Sequence, residues 1–334
     1  MSTFGERYQI KGQLGSGGTG AVYEAFDEVI QDSVALKLLA AGEDLLAVRE
    51  ASALRALSSD YVVPVLNAGT FRDVPFVVTE IARGGSVEDR VRNHPEGLDV
   101  STAIRWARQM LVGLDYCHRL NILHRDVTPG NVFLDNEDHA RLGDFGTATN
   151  LRADGTADRM GNQRVVAPEG YETGILTVKS EIFSAGVTIW RMLTGQWPYE
   201  AQTESEMLAL VRSDRRPRLR DLAPHVPRSV ADAVERALAS DPEQRYTSAA
   251  ALREALAECS LSDRRWKPIP RHDGHERCWT GTFPAGPVSA CITRSDSTVV
   301  VETRRGTGRR IAEGCFETPK SKAGPVLRRL FDHL

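Results

Sequence analysis

The beginning of the chain consists of short apolar stretches separated by turn residues. Stretches with the alternation or the Val, Ala and Leu content of β-strands occupy residues 8–20, 21–26, 34–39, 61–65 and 76–81. Between the third and fourth of these, residues 43–57 place apolar side chains at helical spacing. The pattern predicts an N-terminal antiparallel sheet accompanied by one helix.

A helical period replaces this alternation after Gly84 and Gly85. Ser101 is suited to cap a helix whose apolar residues recur at three- and four-residue spacing. Further stretches of helical character follow at residues 181–194, 204–212, 228–239 and 247–258. We therefore expect one α+β domain over residues 1–260, with a sheet-containing part at about 8–82 and a mainly α-helical part at about 83–260.

The composition changes again near residue 261. Residues 261–273 contain two prolines and predict an extended linker. Short strand-like stretches then follow at residues 279–283, 289–294 and 298–303, and residues 322–334 have the pattern of an amphipathic helix. This pattern predicts a small accessory domain over residues 274–334, β-rich with a terminal helix.

Charge is distributed unevenly along the chain. The net charge of the 334 residues is −3, but residues 262–334 carry 14 Lys and Arg against 8 Asp and Glu. The basic tail could bind nucleic acid or a phosphopeptide, although basic residues on a solvated face explain the same counts. No particular partner follows from this charge.

The chain shows neither a secretory signal at its start nor an apolar run long enough to span a membrane. Its five cysteines form no CxxC pair, so we expect reduced thiols and a cytoplasmic location. A zinc set can be drawn from His272, His275, Cys278, Cys291 and Cys315. Because their spacing matches no familiar paired-ligand pattern, cysteines buried in a small β core are the favoured interpretation.

A glycine-rich stretch runs from Leu14 to Val22 and ends in a second strand. Glycines let a backbone approach phosphate oxygens, but a glycine-rich hairpin or a dinucleotide-binding turn has the same composition. The dinucleotide turn should open a helix, and here a strand follows. Lys37, in the next apolar strand, needs a buried partner. Glu50 in the predicted helix is the preferred candidate, with Glu43 as the alternative.

The strongest signal is the sequence from His124 to Asn131, HRDVTPGN, followed by Asp144-Phe145-Gly146. With Ala167-Pro168-Glu169 and Arg245 further along, residues from about 8 to 256 resemble the eukaryotic-type protein kinase superfamily, in the form also found in bacteria. The resemblance implies a bilobal kinase fold and a serine/threonine protein kinase that uses ATP with Mg²⁺ or Mn²⁺. Its protein substrates are not implied.

The resemblance also implies roles for individual residues. Asp126 would accept the proton of the substrate hydroxyl, Asn131 and Asp144 would hold the metal ions, and Lys37, fixed by Glu50, would bind the phosphates. Adenine would lie among Val22, Ala35 and Phe133, close to the backbone of Glu80 and Ala82, with Thr79 at the gatekeeper position. The glycine-rich loop would contribute Leu14, Gly15, Gly17 and Gly20.

Three positions depart from the family pattern. Thr128 stands where a lysine is usual, Asn162 where a threonine is usual, and Glu181 where an aspartate is usual. Losing the lysine would remove a cation that meets the transferred phosphate. A pseudokinase or nucleotide-binding scaffold that recruits a partner through its C-terminal domain therefore remains an alternative. A small-molecule phosphotransferase is a third, which the Ala167-Pro168-Glu169 segment disfavours.

The resemblance implies two further features. Glu169 and Arg245 would form a structural ion pair in the helical lobe. Arg125, next to Asp126, would pair with a phosphate on the loop between Asp144 and Glu169. Thr147, Thr149 and Thr156 offer hydroxyls there; Thr156 is the favoured site, and an unmodified, solvent-exposed threonine is the alternative.

Overall fold

The computed structural model of the chain describes residues 3–17, 20–39, 59–260, 266–272, 274–306 and 309–333. The helix predicted at residues 43–57, with Glu43 and Glu50, lies outside these ranges.

The N-terminal part is an antiparallel sheet of six strands in the order β1-β2-β3-β4-β6-β5. The strands are β1 (Thr3–Phe4), β2 (Tyr8–Gly17), β3 (Gly20–Asp27), β4 (Asp32–Leu39), β5 (Val65–Phe71) and β6 (Val74–Glu80). Val34 and Leu36 on β4 are fully buried in the core of this sheet. Since side chains alternate along a strand, Ala35 and Lys37 face the other side.

Helices dominate the part that follows. They are α1 (Val87–Asn93), α2 (Val100–Arg119), α3 (Pro168–Thr173), α4 (Val178–Thr194), α5 (Glu204–Arg212), α6 (Leu219–Leu222), α7 (Arg228–Ala237) and α8 (Ala249–Glu258). Short strand pairs connect them: β7 (Ile122–Leu123), β8 (Val132–Leu134), β9 (Ala140–Leu142), β10 (Thr149–Asn150), β11 (Ala157–Asp158) and β12 (Ile175–Leu176). Helices α2 and α4 run through the middle of the large core.

The cap of α2 differs from the prediction. Asp99, not Ser101, is the N-cap residue, and its carboxylate accepts a hydrogen bond from the backbone N–H of Thr102 at 3.1 Å. The hydroxyl of Ser101 bonds to the same carboxylate. Both residue types can cap a helix, and the sequence pattern does not separate two candidates two positions apart.

The C-terminal part is a second antiparallel sheet covered by a helix. Its strands are β13 (Lys267–Ile269), β14 (Arg277–Gly281), β15 (Val288–Arg294), β16 (Thr298–Arg305), β17 (Arg309–Arg310) and β18 (Phe316–Pro319), followed by α9 (Lys320–His333). Trp266, Trp279 and Phe331 lie in its core. The segment predicted as a linker at 261–273 therefore contains a strand and a buried tryptophan, because Trp266 packs edge-on against Phe331.

This C-terminal sheet contacts the helical part around α6. The indole N–H of Trp279 donates to Nδ1 of His225 at 3.0 Å, and Arg277 donates to the carbonyl of Leu222. Arg220 pairs with Asp332 of α9 at 2.6 Å. Burial and the nearby positive charges of two arginines lower the pKa of His225 to about 3, so this ring is neutral in the contact.

The architecture confirms the predicted fold class: an N-terminal sheet, a mainly α-helical second part and a separate β-rich C-terminal unit with a terminal helix. Among the helices in the described ranges, none is both long enough and apolar enough to cross a membrane.

Candidate active site

A cavity of about 600 Å³ opens between the N-terminal sheet and the start of the helical part. Because side chains alternate along β4, Ala35 and Lys37 point away from the core of the sheet and line this cavity. The predicted nucleotide-binding residues that line it are Leu14, Gly15, Val22, Ala35, Lys37, Thr79, Glu80, Ala82 and Phe133. Gly20 is not among its lining residues, and a contact of Gly17 with the nucleotide stays a prediction.

Gly20 is required for a different reason from the one its motif suggests. It begins β3 with φ of +137°, and a Cβ atom there would lie 2.0 Å from the carbonyl oxygen of Leu38 on β4. Any other residue would push the two strands apart. At Gly15, by contrast, a Cβ would meet nothing within 4 Å, so packing between the strands does not demand glycine there.

Lys37 and Asp144 meet inside the cavity. The ammonium Nζ lies 2.6 Å from Oδ1 of the carboxylate, and 12% of the lysine side chain is exposed. Asp144 adopts a left-handed backbone conformation with φ of +54°. A Cβ on Gly146 would lie 2.9 Å from the ammonium, so glycine at this position leaves the space that the lysine occupies.

Asp126 is held at both carboxylate oxygens. The amide Nδ2 of Asn131 lies 2.7 Å from Oδ2, and the backbone N–H of Asn162 donates to Oδ1 at 2.9 Å. Nδ2 of Asn131 also reaches the carbonyl oxygen of Asp126 at 2.8 Å. Because both partners of this nitrogen are acceptors, the orientation of the Asn131 amide is settled, and its Oδ1 points elsewhere.

The Asn162 contact uses the main chain, which the sequence could not indicate. Its side chain instead accepts a hydrogen bond from the N–H of Arg164 at 3.0 Å and begins a short helical turn. Just before it, Gly161 has φ of +92°, and a Cβ there would lie 2.1 Å from the carbonyl of Arg125. The segment that carries Asn162 and the segment that carries Asp126 are therefore in direct contact at Gly161.

Glu181 braces the loop of residues 124–131, which we call the catalytic loop after the predicted role of Asp126. The side chain is 2% exposed, and one carboxylate oxygen accepts the backbone N–H of Arg125. The other oxygen lies 2.7 Å from Nε2 of His118, at the end of α2. The side chain of Glu181 thus bridges the catalytic loop and α2. Sequence reasoning missed His118, which is 63 positions away.

Arg125 lies against the loop that follows Asp144. Its guanidinium donates to the carbonyl oxygen of Thr147 and, at 3.1 Å, to that of Asp158. Thr156 lies in the same loop, with its hydroxyl 2.6 Å from Asp154 and 3.5 Å from a guanidinium nitrogen of Arg152. Phosphorylation of Thr156 stays a prediction, and in this structure Arg125 binds main-chain carbonyls.

Glu169 and Arg245 form the ion pair that the motifs imply. Two guanidinium nitrogens meet the two carboxylate oxygens at 2.7 and 2.9 Å, and the arginine side chain is fully buried. Ser180 adds a hydrogen bond to the same carboxylate at 2.8 Å. The buried positive charge of Arg245 is therefore paired with a carboxylate, whereas an unpaired arginine at this position would be costly to bury.

Residues 8–257 match the protein kinase domain family. A probable serine/threonine-protein kinase PknB of Lactococcus lactis is 29% identical over 78% of this chain and 43% of its own length. Serine/threonine-protein kinase PrkC of Bacillus subtilis is 28% identical over 77% of this chain and 41% of its own length. Serine/threonine-protein kinase PknL of Mycobacterium tuberculosis is 30% identical over 81% of this chain and 71% of its own length.

The chain thus spans less than half the length of the first two of these relatives. The matched residues include the cavity, the loops around Asp126 and Asp144, and the ion pair to Arg245, while the C-terminal sheet lies beyond the family match. On the extent of that match, the chain belongs to the protein kinase domain family.

Proposed function

We propose that this chain is a serine/threonine protein kinase that transfers the γ-phosphate of ATP to hydroxyl groups of proteins. The observation that carries the proposal is the fixed carboxylate of Asp126, held at one oxygen by Asn131 and at the other by the N–H of Asn162. A carboxylate held in this way is positioned to take a proton from an incoming hydroxyl.

The cavity fits a nucleotide. Its volume of about 600 Å³ lies within the range of small-molecule sites, and the apolar side chains of Val22, Ala35 and Phe133 line it. The ammonium of Lys37 lies among the residues that line the cavity and would bind phosphate oxygens. The predicted contact of Lys37 with Glu50 is part of this proposal and lies outside the described residues.

Asp144 and Asn131 fit a divalent cation. Mg²⁺ prefers hard oxygen ligands, and the two residues offer a carboxylate and an amide oxygen that is free of the Asp126 contacts. When bound, the metal would neutralise charge on the phosphates. Mg²⁺ or Mn²⁺ is thus the proposed cofactor.

The transfer would form a bond between the substrate oxygen and the γ-phosphorus and break the bond from that phosphorus to the bridging oxygen of ADP. The hydroxyl proton would pass to the carboxylate of Asp126, and Asn131 and Asn162 would keep that group in place. Thr128 supplies no positive charge to this step. A cytoplasmic location is part of the proposal and rests on the cysteine pattern.

The test compares the wild-type chain with Asp126→Asn and with Asp232→Asn, an exposed carboxylate on α7. Each protein is incubated with ATP and Mg²⁺, and phosphate transfer to itself and to a generic protein substrate is measured. We expect Asp126→Asn to lose about 10²- to 10⁴-fold in rate, with ATP binding kept, and Asp232→Asn to behave as wild type.

A folded wild-type protein that binds ATP but transfers no more phosphate than Asp126→Asn would overturn the proposal. That result would favour the alternative, a nucleotide-binding scaffold, for which the missing cation at Thr128 is the specific observation.

A further inference from the structure

Two histidines and two cysteines meet on the C-terminal sheet, far from the kinase cleft in sequence. Within His272, His275, Cys278 and Cys291, the ligand atoms all lie within 4.8 Å of one another. The sequence set also contained Cys315, but its sulfur lies near Thr303, 3.3 Å from the backbone N–H. The structure therefore selects four of the five residues.

The two cysteines come together through strand pairing. Cys278 on β14 and Cys291 on β15 are direct cross-strand partners, so their side chains point to the same face of the sheet. That face is opposite the aromatic core, because the neighbouring Trp279 belongs to the core. Both cysteines are nevertheless buried, at 1% and 5% exposure. The predicted burial of these two cysteines is therefore confirmed, and they lie on the face of the sheet opposite the aromatic cluster.

The distances between the donor atoms suit one small cation. Nδ1 of His272 lies 3.6 Å from the sulfur of Cys278 and 3.4 Å from that of Cys291. In a tetrahedral zinc site with Zn–S near 2.3 Å and Zn–N near 2.0 Å, neighbouring ligand atoms are about 3.3–3.8 Å apart. The two distances from Nδ1 of His272 to the sulfurs match nitrogen–sulfur edges of that tetrahedron, and the other donor atoms lie within 4.8 Å.

Hydrogen bonding alone does not account for the cluster. A neutral imidazole has one acceptor nitrogen with one lone pair, so Nδ1 of His272 cannot accept hydrogens from both thiols at full strength. In addition, Nδ1 of His275 is buried without a hydrogen-bond partner among the described residues. A cation at the centre of the cluster would use the lone pairs of both rings and both sulfurs.

The surroundings also fit a metal site. The other ring nitrogen of His275, Nε2, lies 3.9 Å from a carboxylate oxygen of Glu302, which is the cross-strand partner of Cys291. Histidine ligands commonly face a carboxylate with the nitrogen that does not bind the metal. The two histidines are joined by a turn through Gly274, with φ of +82° and a hydrogen bond from His275 N–H to the His272 carbonyl at 3.0 Å.

We propose that His272, His275, Cys278 and Cys291 bind a structural Zn²⁺ ion. Two thiolates and two imidazoles form a closed four-coordinate set of the kind that zinc prefers, which leaves no open position for catalysis. The ion would tie His272 and His275 to β14 and β15. This inference concerns residues beyond the kinase match and does not rest on the proposed function.

The test measures metal in the full-length protein, purified with a tag that contains no histidines, in the presence of a reductant. Elemental analysis should find about one zinc per chain in the wild type. Cys278→Ser and Cys291→Ser should each lose most of it. Cys259→Ser and Cys315→Ser, which change cysteines outside the cluster, should keep it.

Two further measurements keep the test informative if a serine variant fails to fold. Cys291→His preserves a zinc ligand and should retain more metal than Cys291→Ser. Replacing zinc by Co²⁺ in the wild type should give the intense visible absorption of a tetrahedral site with thiolate ligands, lost in the serine variants.

Four results would overturn the proposal. They are a folded wild type without zinc after growth with added zinc, equal zinc in the cluster variants and the controls, iron in place of zinc, and a Cys278–Cys291 disulfide in thiol-trapped protein. Phosphate transfer by the same samples is recorded separately, so loss of metal and loss of kinase activity can be told apart.

Discussion

Replacing Glu181 by aspartate tests whether one carboxylate holds both the catalytic loop and α2. In the structure one oxygen accepts the N–H of Arg125, and the other lies 2.7 Å from Nε2 of His118. Aspartate is shorter by one carbon–carbon bond, about 1.5 Å. On the same backbone it can reach one of these partners but not both.

The expected cost follows from the lost contact. A hydrogen bond to a charged group contributes about 1.5–3 kcal/mol, and the side chain of His118, one of the two partners, is only 7% exposed. We therefore expect Glu181→Asp to lower the free energy of unfolding by about 2 kcal/mol. If Arg125 is the partner lost, the catalytic loop loosens and kcat falls about tenfold, the rate equivalent of about 1.4 kcal/mol.

A double-mutant cycle with His118→Gln identifies the partner that is lost. Thermal or urea unfolding is measured for wild type, both single variants and the double variant. If aspartate abandons His118, the histidine substitution should cost nothing further in the Glu181→Asp background, which gives a coupling energy of about 1–2 kcal/mol.

The control is Glu235→Asp on α7. Glu235 also accepts a backbone N–H, that of Leu219 at 2.8 Å, but it lies away from the catalytic loop. This variant should lose stability and keep its kcat. Wild-type stability together with wild-type kcat in Glu181→Asp would refute the bridging role.

Three other changes have definite expected outcomes. Arg245→Ala should lower the free energy of unfolding by about 3–5 kcal/mol, because it leaves Glu169 as an unpaired charge, and should leave kcat unchanged well below Tm. Thr128→Lys should raise kcat about tenfold or more in phosphotransfer assays, because it restores a cation near the transferred phosphate. His225→Asn should flatten the acid side of a plot of Tm against pH.

The sign of the pH effect follows from the direction of the shift. The folded pKa of His225, about 3, lies below its ordinary value of about 6.5, so the unfolded chain binds more protons between these limits. Stability from the neutral ring is complete above about pH 6.5 and is lost as the pH falls toward 3. Parallel curves for wild type and His225→Asn would contradict this reasoning.

The remaining controls are equally direct. Thr128→Met, long but uncharged, should not raise kcat, and an equal gain in both variants would exclude the charge argument. For the ion pair, a loss below about 1 kcal/mol in Arg245→Ala would show that the buried pair contributes little.

Local patterns were enough to predict much of this fold. The Val, Ala and Leu content of residues 34–39 predicted the strand that carries Ala35 and Lys37, and the family resemblance named residues that line the cavity. Such patterns depend on residues that are close together in the sequence, so they can be recognised without the structure.

Contacts between distant segments were not predictable in the same way. The Glu181–His118 bridge depends on the packing of α2 against α4, and the bond from Asn162 to Asp126 uses a main-chain N–H that every residue except proline possesses. The His and Cys cluster depends on the register of β14 and β15, since a shift by one residue would send Cys291 to the other face.

The contact between the C-terminal sheet and the kinase lobe bears on how such chains recombine in evolution. Two of its contacts join side chains of the two parts: Arg220 with Asp332, and His225 with Trp279. The third joins Arg277 to the main-chain carbonyl of Leu222, which does not depend on the side chain at that position. If the C-terminal unit were joined to a lobe with other residues at positions 220 and 225, Asp332 and Trp279 would lose these partners. An exchange of the C-terminal unit between chains that keeps this contact would therefore have to include α6 and the His225 segment.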